Sequence, residues 1–352
     1  MTARNVIATL SLALLALSCG GGEGRKEKEA EPQFVIETIN KYTPVKDQGT
    51  SSLCWAYAML ATIEGDRLAV GDSVNLSPGY VARKVLEEQA TARYLSRGRD
   101  SIRTAGMAMR LVPLISREGI VPYDSYHSDD DNVSALCRRL ALVADEAVRR
   151  RAGLGRLMAK VGEAIDEDLG PAPRKVWMAG VDYTPLEFAH SVCLDGDYVA
   201  YTSFTHEPFF ADVVLSLPDN PRRDPMRNVP IQQLIDMAER ALRRGFTVCW
   251  EGDVTEPGFD FDHGTARLDE GEQDVSQQRR QRDFETFRTT DDHCMALIGI
   301  AHDRKGRKYF ICKNSWGSGN DYDGLMYMSF DYARLKTIGI VLSKQVPEKV
   351  KG

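Results

Sequence analysis

Apolar side chains recur at helical spacing in several parts of the chain. Downstream of Cys54 they stand at positions 55, 58, 59 and 63, on one face of a predicted helix. Ser51 and Ser52 stand just before this segment and are expected to cap it, so Cys54 falls in the first turn. Further helical patterns extend over residues 75–115, 136–168 and 231–244.

Strand composition marks the last third of the chain. Residues 292–300 and 308–313 are apolar runs separated by the turn-like segment 303–306, which predicts an antiparallel hairpin. If the turn is centred in that segment, His293 and Asn314 lie on the same face, one diagonal step apart. The hairpin therefore brings an imidazole and a side-chain amide together.

Size and charge limit the classes of function. The chain has 352 residues, 43% of them apolar, with 45 Lys and Arg against 51 Asp and Glu. This length fits one large domain or two lobes around a cleft. Basic residues are scattered through a chain of net charge −6, which excludes an evident nucleic-acid surface. No apolar run approaches the roughly twenty residues that cross a bilayer, which excludes a polytopic membrane protein.

The amino terminus predicts export. Arg4 precedes an apolar stretch at 6–17, and the pattern indicates a signal peptide over residues 1–18. The following Cys19 sits in a loose match to a bacterial lipoprotein box, so we expect it to be lipidated; the alternative is an ordinary cleaved signal. Residues 19–33 predict a flexible tether. The expected location is the bacterial cell envelope through a lipid anchor, or otherwise the secreted fraction.

Cys54 is the first candidate for chemistry. The unpaired N–H groups at a helix start favour an anion, which lowers the pKa of a thiol and populates the thiolate. Six residues earlier, Gln48 can fold back so that its amide and the Cys54 N–H form a two-donor oxyanion hole. A cysteine alone on an apolar helix face is more often a packing residue. The combination of Gln48, the spacing, Cys54 and Trp55 favours a nucleophile.

His293 and Asn314 are the second candidate pair. An Asn carbonyl next to an imidazole fixes its orientation and tautomer, and leaves the other ring nitrogen for the thiol. Trp316 is placed to shield that hydrogen bond from water. Taken singly, His293 could equally be a satisfied core histidine and Asn314 a turn residue.

These motifs, in this order, resemble those of papain-like cysteine peptidases. The histidine follows the cysteine by about 130 to 150 residues in papain-type enzymes, and roughly a hundred more residues separate Cys54 from His293. The longer spacing resembles the bleomycin hydrolase, or aminopeptidase C-like, branch. Weaker matches to that branch occur at 184–188, 197–199 and 248–254.

The resemblance implies an α+β fold with two lobes around the active-site cleft. We expect a helical lobe with the nucleophile at 34–135, a mostly helical insertion at 136–245 and a sheet-rich lobe with His293 and Asn314 at 246–346. Residues 347–352 are expected to be a short tail.

Two departures from the family affect specificity. Ala105 replaces the first of two glycines that bind substrate main chain, which leaves Gly106, together with Trp316, as the expected substrate contacts. The family's carboxy-terminal arm, which anchors the substrate's free amino group, would begin about where this sequence ends. Aminopeptidase and endopeptidase action therefore both remain open, as does the oligomeric state.

Other polar and thiol groups are expected to be structural. The segment 260–263 is interpreted as a polar loop rather than a metal site, and residues 277–282 as a solvated helix start. Strand alternation predicts that Cys294 points away from His293. The cysteines without an assigned role are expected to be core thiols, although disulfides among them remain open: Cys137, Cys193, Cys249, Cys294 and Cys312.

The sequence thus predicts a cysteine peptidase acting on peptides or proteins through a Cys54 thiolate and His293, with no cofactor or metal. Membrane association is expected only through the lipid anchor, and nucleic acid is not an expected partner. Two alternatives stay open. One is a non-catalytic, surface-tethered binding protein on a peptidase scaffold, and the other is a Cys-His amidase or acyl transferase.

Overall fold

The computed structural model describes residues 33–127, 133–178, 180–269, 271 and 274–346. The predicted signal peptide, Cys19 and the predicted tail at 347–352 lie outside the described residues, as does the predicted tether up to residue 32. Among the described residues, those from Phe34 to Val346 form one unit.

Most helices of the described residues lie in the first half of this unit. Those within the described ranges are α1 (Cys54–Ala69), α2 (Pro78–Leu95), α3 (Leu111–Glu118), α4 (Val133–Arg150), α5 (Leu154–Leu169), α6 (Pro185–Val192), α7 (Ile231–Arg243), α8 (Gln277–Glu285) and α9 (Phe330–Lys336). None of them is both long and apolar enough to pass through a membrane.

Most strands join one large sheet. The strands are β1 (Phe34–Ile39), β2 (Val176–Met178), β3 (Val181–Tyr183), β4 (Tyr198–Thr202), β5 (Asp212–Val213), β6 (Met226–Asn228), β7 (Val248–Gly252), β8 (Phe259–Asp260), β9 (Thr265–Ala266), β10 (His293–Asp303), β11 (Lys308–Lys313), β12 (Leu325–Ser329) and β13 (Thr337–Ser343). The sheet runs in the order β5-β6-β4-β13-β7-β10-β11-β12-β9-β8, while β2 and β3 form a separate hairpin.

The long strand β10 is the centre of this sheet. β11 pairs along one edge, whereas the other edge pairs with β7 in its first half and with β1 in its second half. The predicted β10–β11 hairpin is present, and its register near the start of β10 is the predicted one, with Ala296 opposite Lys313. A bulge between Leu297 and Gly299 shifts the pairing by one residue toward the turn.

α1 is the central helix of the protein. Every side chain from Trp55 to Gly65 is buried, because α1 has β10 on one side and the helical lobe on the other. The predicted caps are wrong: Leu53 occupies the cap position and makes no side-chain cap bond. Ser51 instead donates its hydroxyl to the carbonyl oxygen of Gln48, at 2.7 Å.

The helical lobe follows its amphipathic pattern. α2, α4 and α5 pack against one another and bury residues such as Leu86, Leu140 and Ile165. The charged faces of α4 remain in solvent, where Arg149 and Arg150 pair with Glu146.

The lobe boundaries differ from those expected in three places. α4 and α5, most of which lie within the predicted insertion, pack against α2 of the helical lobe. β1, within the predicted helical lobe, pairs with β10 in the main sheet. The predicted insertion is less helical than expected, because its strand β4 pairs with β13 and extends the same sheet through β6. Pairing between segments far apart in sequence is not encoded in a local pattern, so the sequence did not show these additions.

The segment 277–282, predicted to be a solvated helix start, is instead partly buried. α8 begins here, capped by the Ser276 hydroxyl, but Arg280, Gln281 and Asp283 are buried. Arg280 donates to the backbone carbonyls of Ser203 and Leu335 at 2.9 and 3.2 Å, and its guanidinium lies 4.6 Å from the ring of Phe204. The arginine therefore connects α8 to the end of α9.

Candidate active site

Cys54 begins α1 and is half-buried. The pKa of its thiol lies well below the ordinary value. The largest cause is a hydrogen bond from the Cys294 thiol, and the hydrogen bond and charge of His293 act in the same direction. These effects outweigh burial, which raises the pKa. Cys54 is therefore poised as a thiolate, the nucleophilic form of cysteine.

His293 is held by Asn314. His293 is the first residue of β10 and Asn314 follows the last residue of β11, and both are buried. The imidazole Nε2 lies 2.7 Å from Asn314 Oδ1, which also accepts from the backbone N–H of Ser315 at 2.7 Å. Because that amide oxygen can only accept, Nε2 carries the proton and Nδ1 is left for the Cys54 thiol.

Trp316 covers this pair. Its ring centroid lies 4.5 Å from that of His293, at an interplanar angle of 39°. Phe259 and Phe261 pack edge-on against the same tryptophan, at 5.7 and 5.3 Å. The aromatic cover keeps water from the bond between His293 and Asn314, as the sequence predicts, and strengthens that bond.

Gln48 is fixed from both sides. Its Nε2 donates to the carbonyl oxygen of Ser51, at 2.7 Å, and its Oε1 accepts from the Ser315 hydroxyl, at 2.7 Å. The side-chain amide carries two N–H groups, so a second one remains to donate to a substrate oxyanion. Gln48 is buried just ahead of α1, as the oxyanion-hole prediction requires.

Gly106 lies against the neighbour of the nucleophile. A Cβ at this position would come within 3.2 Å of the Trp55 ring, closer than side chains usually approach. The Trp55 indole N–H donates to the carbonyl oxygen of Thr104, at 2.8 Å, and fixes the same segment. Because glycine has no Cβ, the backbone at Gly106 can lie directly against Trp55, the second residue of α1.

Cys294 is the site residue that the sequence argument missed. Alternation does place it on the opposite face of β10 from His293, but α1 packs on that face, where Cys294 lines a small internal cavity with Tyr57 and Ala58. Cys54 begins α1, so the Cys294 thiol reaches it. Cys294 is a buried thiol, as expected, but it also acts on the nucleophile, which the sequence did not predict. The alternation of Cys294, Ala296 and Ile298 predicted which face of β10 is buried, but it did not predict that α1 packs on that face.

The remaining cysteines are structural. The six described cysteines are free thiols, so no disulfide forms among the five that were left open. Burial raises the pKa of each of the other four: Cys137, Cys193, Cys249 and Cys312. Their thiols stay protonated and unreactive, which separates them from Cys54.

The polar loop at 260–263 lies in solvent. His263 Nδ1 lies 2.8 Å from Asp260 Oδ2, and both side chains are exposed. Across the described part of the chain, no three His, Cys, Asp or Glu side chains are grouped in a way that could hold a metal ion.

Comparison with known proteins gives one curated relative and a shared fold. No family model matches the chain. The chain is 25% identical over 279 residues to Aminopeptidase W of Lactobacillus delbrueckii subsp. lactis, an alignment that covers 67% of this chain and 62% of that protein. The chain thus spans less than two thirds of the length of this relative.

A solved structure shows the fold. PepW from Lactobacillus rhamnosis superimposes with a TM-score of 0.71 at 17% identity, covering 89% of this chain and 83% of that one. The predicted papain-like α+β fold class is confirmed. The predicted resemblance is confirmed as well, since the chain is similar to an aminopeptidase in sequence and to PepW in structure.

Proposed function

We propose that the chain is a cysteine peptidase that hydrolyses peptide bonds in peptides or proteins. The observation that carries this proposal is the lowered pKa of Cys54 beside His293, whose ring is held at 2.7 Å by Asn314. The similarity to an aminopeptidase supports it.

The reaction follows from this geometry. The Cys54 thiolate attacks the peptide carbonyl carbon, and the carbonyl electron pair moves onto oxygen, where the Cys54 N–H and Gln48 Nε2 donate to it. His293 has taken the thiol proton on Nδ1, and as the C–N bond breaks it gives this proton to the leaving amine. Water, with His293 as base, then attacks the thioester, releases the acid and restores the thiolate. Gly106 and Trp316 are the residues proposed to contact the substrate chain.

Substitution of Cys54 tests the proposal. Cys54→Ala should lower hydrolysis of peptide amides at least about a thousandfold and abolish labelling by an epoxide thiol reagent. Cys137→Ala is the matched control, since it removes a buried thiol with a raised pKa from α4. Labelling that persists elsewhere in Cys54→Ala would contradict the assignment. Wild-type protein that neither hydrolyses peptides nor reacts with the reagent would indicate a non-catalytic binding protein.

Aminopeptidase action is the more specific proposal. The relative is named an aminopeptidase, and this supports cleavage at a free amino terminus. Matched peptides with free and acetylated amino termini separate the two activities. Cleavage of the free peptides alone supports aminopeptidase action, whereas equal cleavage of both would show an endopeptidase.

The proposed location is the cell envelope, with Cys19 as the lipidated residue. The apolar stretch at 6–17 and the small residues before Cys19 support it. Wild-type protein should incorporate labelled fatty acid and sediment with membranes, and Cys19→Ser should do neither. Incorporation that continues in Cys19→Ser would contradict the proposal.

A further inference from the structure

A buried carboxyl group lies beside the nucleophile and takes no part in the reaction proposed above. Glu251, in β7, is 1% exposed. Its Oε1 accepts from the backbone N–H of Ala108 at 3.4 Å and lies 3.5 Å from the Cys294 thiol. Its Oε2 is buried and has no hydrogen-bond partner among the described residues.

Two further carboxyl groups lie within electrostatic range of Glu251. Asp291 stands two residues before His293, the first residue of β10, and its Oδ2 is likewise buried with no partner within the described ranges. Asp219 approaches on a loop of the predicted insertion and pairs with Arg103 at 3.3 Å. Glu251, Asp219 and the Cys54 thiolate all act electrostatically on Asp291. The charges of the cluster and of the nucleophile are therefore close enough to influence one another.

The cluster lies where the two lobes meet. Ala108 belongs to the segment that starts at Gly106 in the helical lobe, whereas β7 and β10 belong to the sheet. A buried carboxyl oxygen without a donor costs free energy, so native proteins seldom keep one. Two such oxygens, on side chains that interact electrostatically with Cys54, indicate that the missing donors come from a bound molecule.

We propose that Glu251 and Asp291, assisted by Asp219, form a subsite that binds a cationic group of the substrate. The group is an ammonium or guanidinium, because only a cation with several N–H donors can satisfy the free carboxyl oxygens and their charge together. It comes either from a Lys or Arg side chain or from the free amino terminus. The inference rests on the proposed peptidase function, since it identifies which peptides that site accepts.

Protonation couples this subsite to the substrate. Burial, and secondly the charge of Cys54, raise the pKa of Glu251 to about 8. The charged or titratable groups that face it are Cys54 from α1, Cys249 on its own strand, Cys294 from β10, and Asp219 and Asp291 from the flanking loops. Near neutral pH Glu251 thus holds a proton, which a bound cation displaces to solvent. A neutral substrate group would leave the carboxyl oxygens unpaired.

Substrate pairs test the subsite and identify the source of the cation. The substrates are dipeptide amides with Lys or norleucine at either position, each with a free or an acetylated amino terminus. Lys against norleucine tests the side-chain cation, and free against acetylated tests the terminal cation. We expect kcat/KM to be at least about tenfold higher for one cationic substrate than for its neutral counterpart. This preference for the cation should fall about tenfold in Glu251→Gln and in Asp291→Asn. A preference for Lys in acetylated peptides identifies the side chain, and a preference for free norleucine peptides identifies the terminus.

Asp66→Asn is the control. Asp66 is a half-buried acid with a raised pKa, but its carboxylate accepts from the Tyr198 hydroxyl and the Thr247 backbone N–H rather than belonging to the Glu251 cluster. Asp66→Asn should therefore leave the preference for the cationic substrate unchanged. Equal rates for all wild-type substrates, or a preference that survives both subsite substitutions, would overturn the proposal. Cooperative unfolding in urea shows that a variant is folded. If one of the two subsite variants fails this check, the other variant decides the test.

A second measurement does not need turnover. Lysine amide should slow alkylation of wild-type Cys54 by iodoacetamide, norleucine amide with a blocked amine should not, and Glu251→Gln should abolish the protection. Protection without peptide hydrolysis would retain the subsite and refute the peptidase proposal. Hydrolysis without protection or cation preference would retain the peptidase and refute the subsite.

Discussion

Gln48 and Ser315 hold each other across the cleft through two hydrogen bonds. The Gln48 backbone N–H donates to the carbonyl oxygen of Ser315 at 2.8 Å, and the Ser315 hydroxyl donates to Gln48 Oε1 at 2.7 Å. Gln48 precedes α1, and Ser315 follows Asn314. The residue proposed to stabilise the oxyanion is thus fixed to the loop that orients His293.

Removing the Ser315 hydroxyl should impair the chemical step. Without it, the Gln48 amide loses its orientation but the substrate's own contacts remain. We expect Ser315→Ala to lower kcat about fivefold, in line with one lost hydrogen bond of about 1 kcal/mol, with little change in KM. Ser315→Thr keeps a hydroxyl and should restore most of the rate. A change in KM alone, or no rescue by threonine, would contradict this role.

Cys294 should control the pKa of the nucleophile. Its hydrogen bond is the largest cause of the lowered pKa of Cys54, so Cys294→Ala should move the alkylation of Cys54 to higher pH. The rate of iodoacetamide alkylation at pH 6 should fall severalfold. Cys294→Ser keeps a donor and should lie between wild type and alanine. Identical pH profiles for all three proteins would exclude this effect.

Two acids with raised pKa values should make the stability of the protein fall as the pH rises. Burial raises the pKa of Glu251 from 4.5 to about 8 and that of Asp66 from 3.8 to about 7. Between these values the folded state keeps protons that the unfolded chain has released, so the free energy of unfolding decreases by at most about 1.4 kcal/mol per pH unit and group.

Glu251→Gln tests this dependence, because glutamine has no proton to lose. Urea unfolding at several values between pH 5 and pH 8 should show a shallower loss of stability in the variant than in the wild type. At pH 5, where Glu251 is protonated in the folded state, the two proteins should differ least. Parallel curves over the whole range would show that Glu251 titrates normally.

Arg280 should be essential for stability. Its guanidinium donates to backbone carbonyls at the end of α9, where a cation also interacts favourably with the negative end of the helix dipole. Arg280→Met would leave those buried oxygens without donors and should cost about 3 kcal/mol or more in urea unfolding. The exposed neighbour Arg282 provides the control, and Arg282→Met should cost less than about 0.5 kcal/mol. Equal effects would contradict the assigned role.

Local patterns predicted the parts of the site that lie close together in sequence. The hairpin turn determines the pairing of β10 with β11, and this pairing alone brings His293 to Asn314. The helix that starts at Cys54 was likewise evident from spacing. The bulge in β10 was not, but it lies beyond the site and does not disturb it.

What remained hidden depends on contacts between distant segments. Arg280 looks like a surface residue in a run of Gln and Arg, and only the docking of α8 on α9 makes it a buried one. Cys294 and Glu251 stand in ordinary buried strands, and they reach Cys54 because α1 packs across β10. No periodicity in one segment specifies which segment will cover it.

The pairing of β1 also has a mechanical consequence. Phe34 lies opposite Asp303 and Ile39 opposite Gly299, so β1 is bound to the half of β10 that lies away from His293. At about 3.3 Å per residue, Asp303 is roughly 30 Å from His293 along the strand. A pull on the chain ahead of Phe34 therefore enters the sheet at Asp303 and is resisted by the β1–β10 ladder. Tension at the leading end would have to rupture that ladder before it could displace the imidazole.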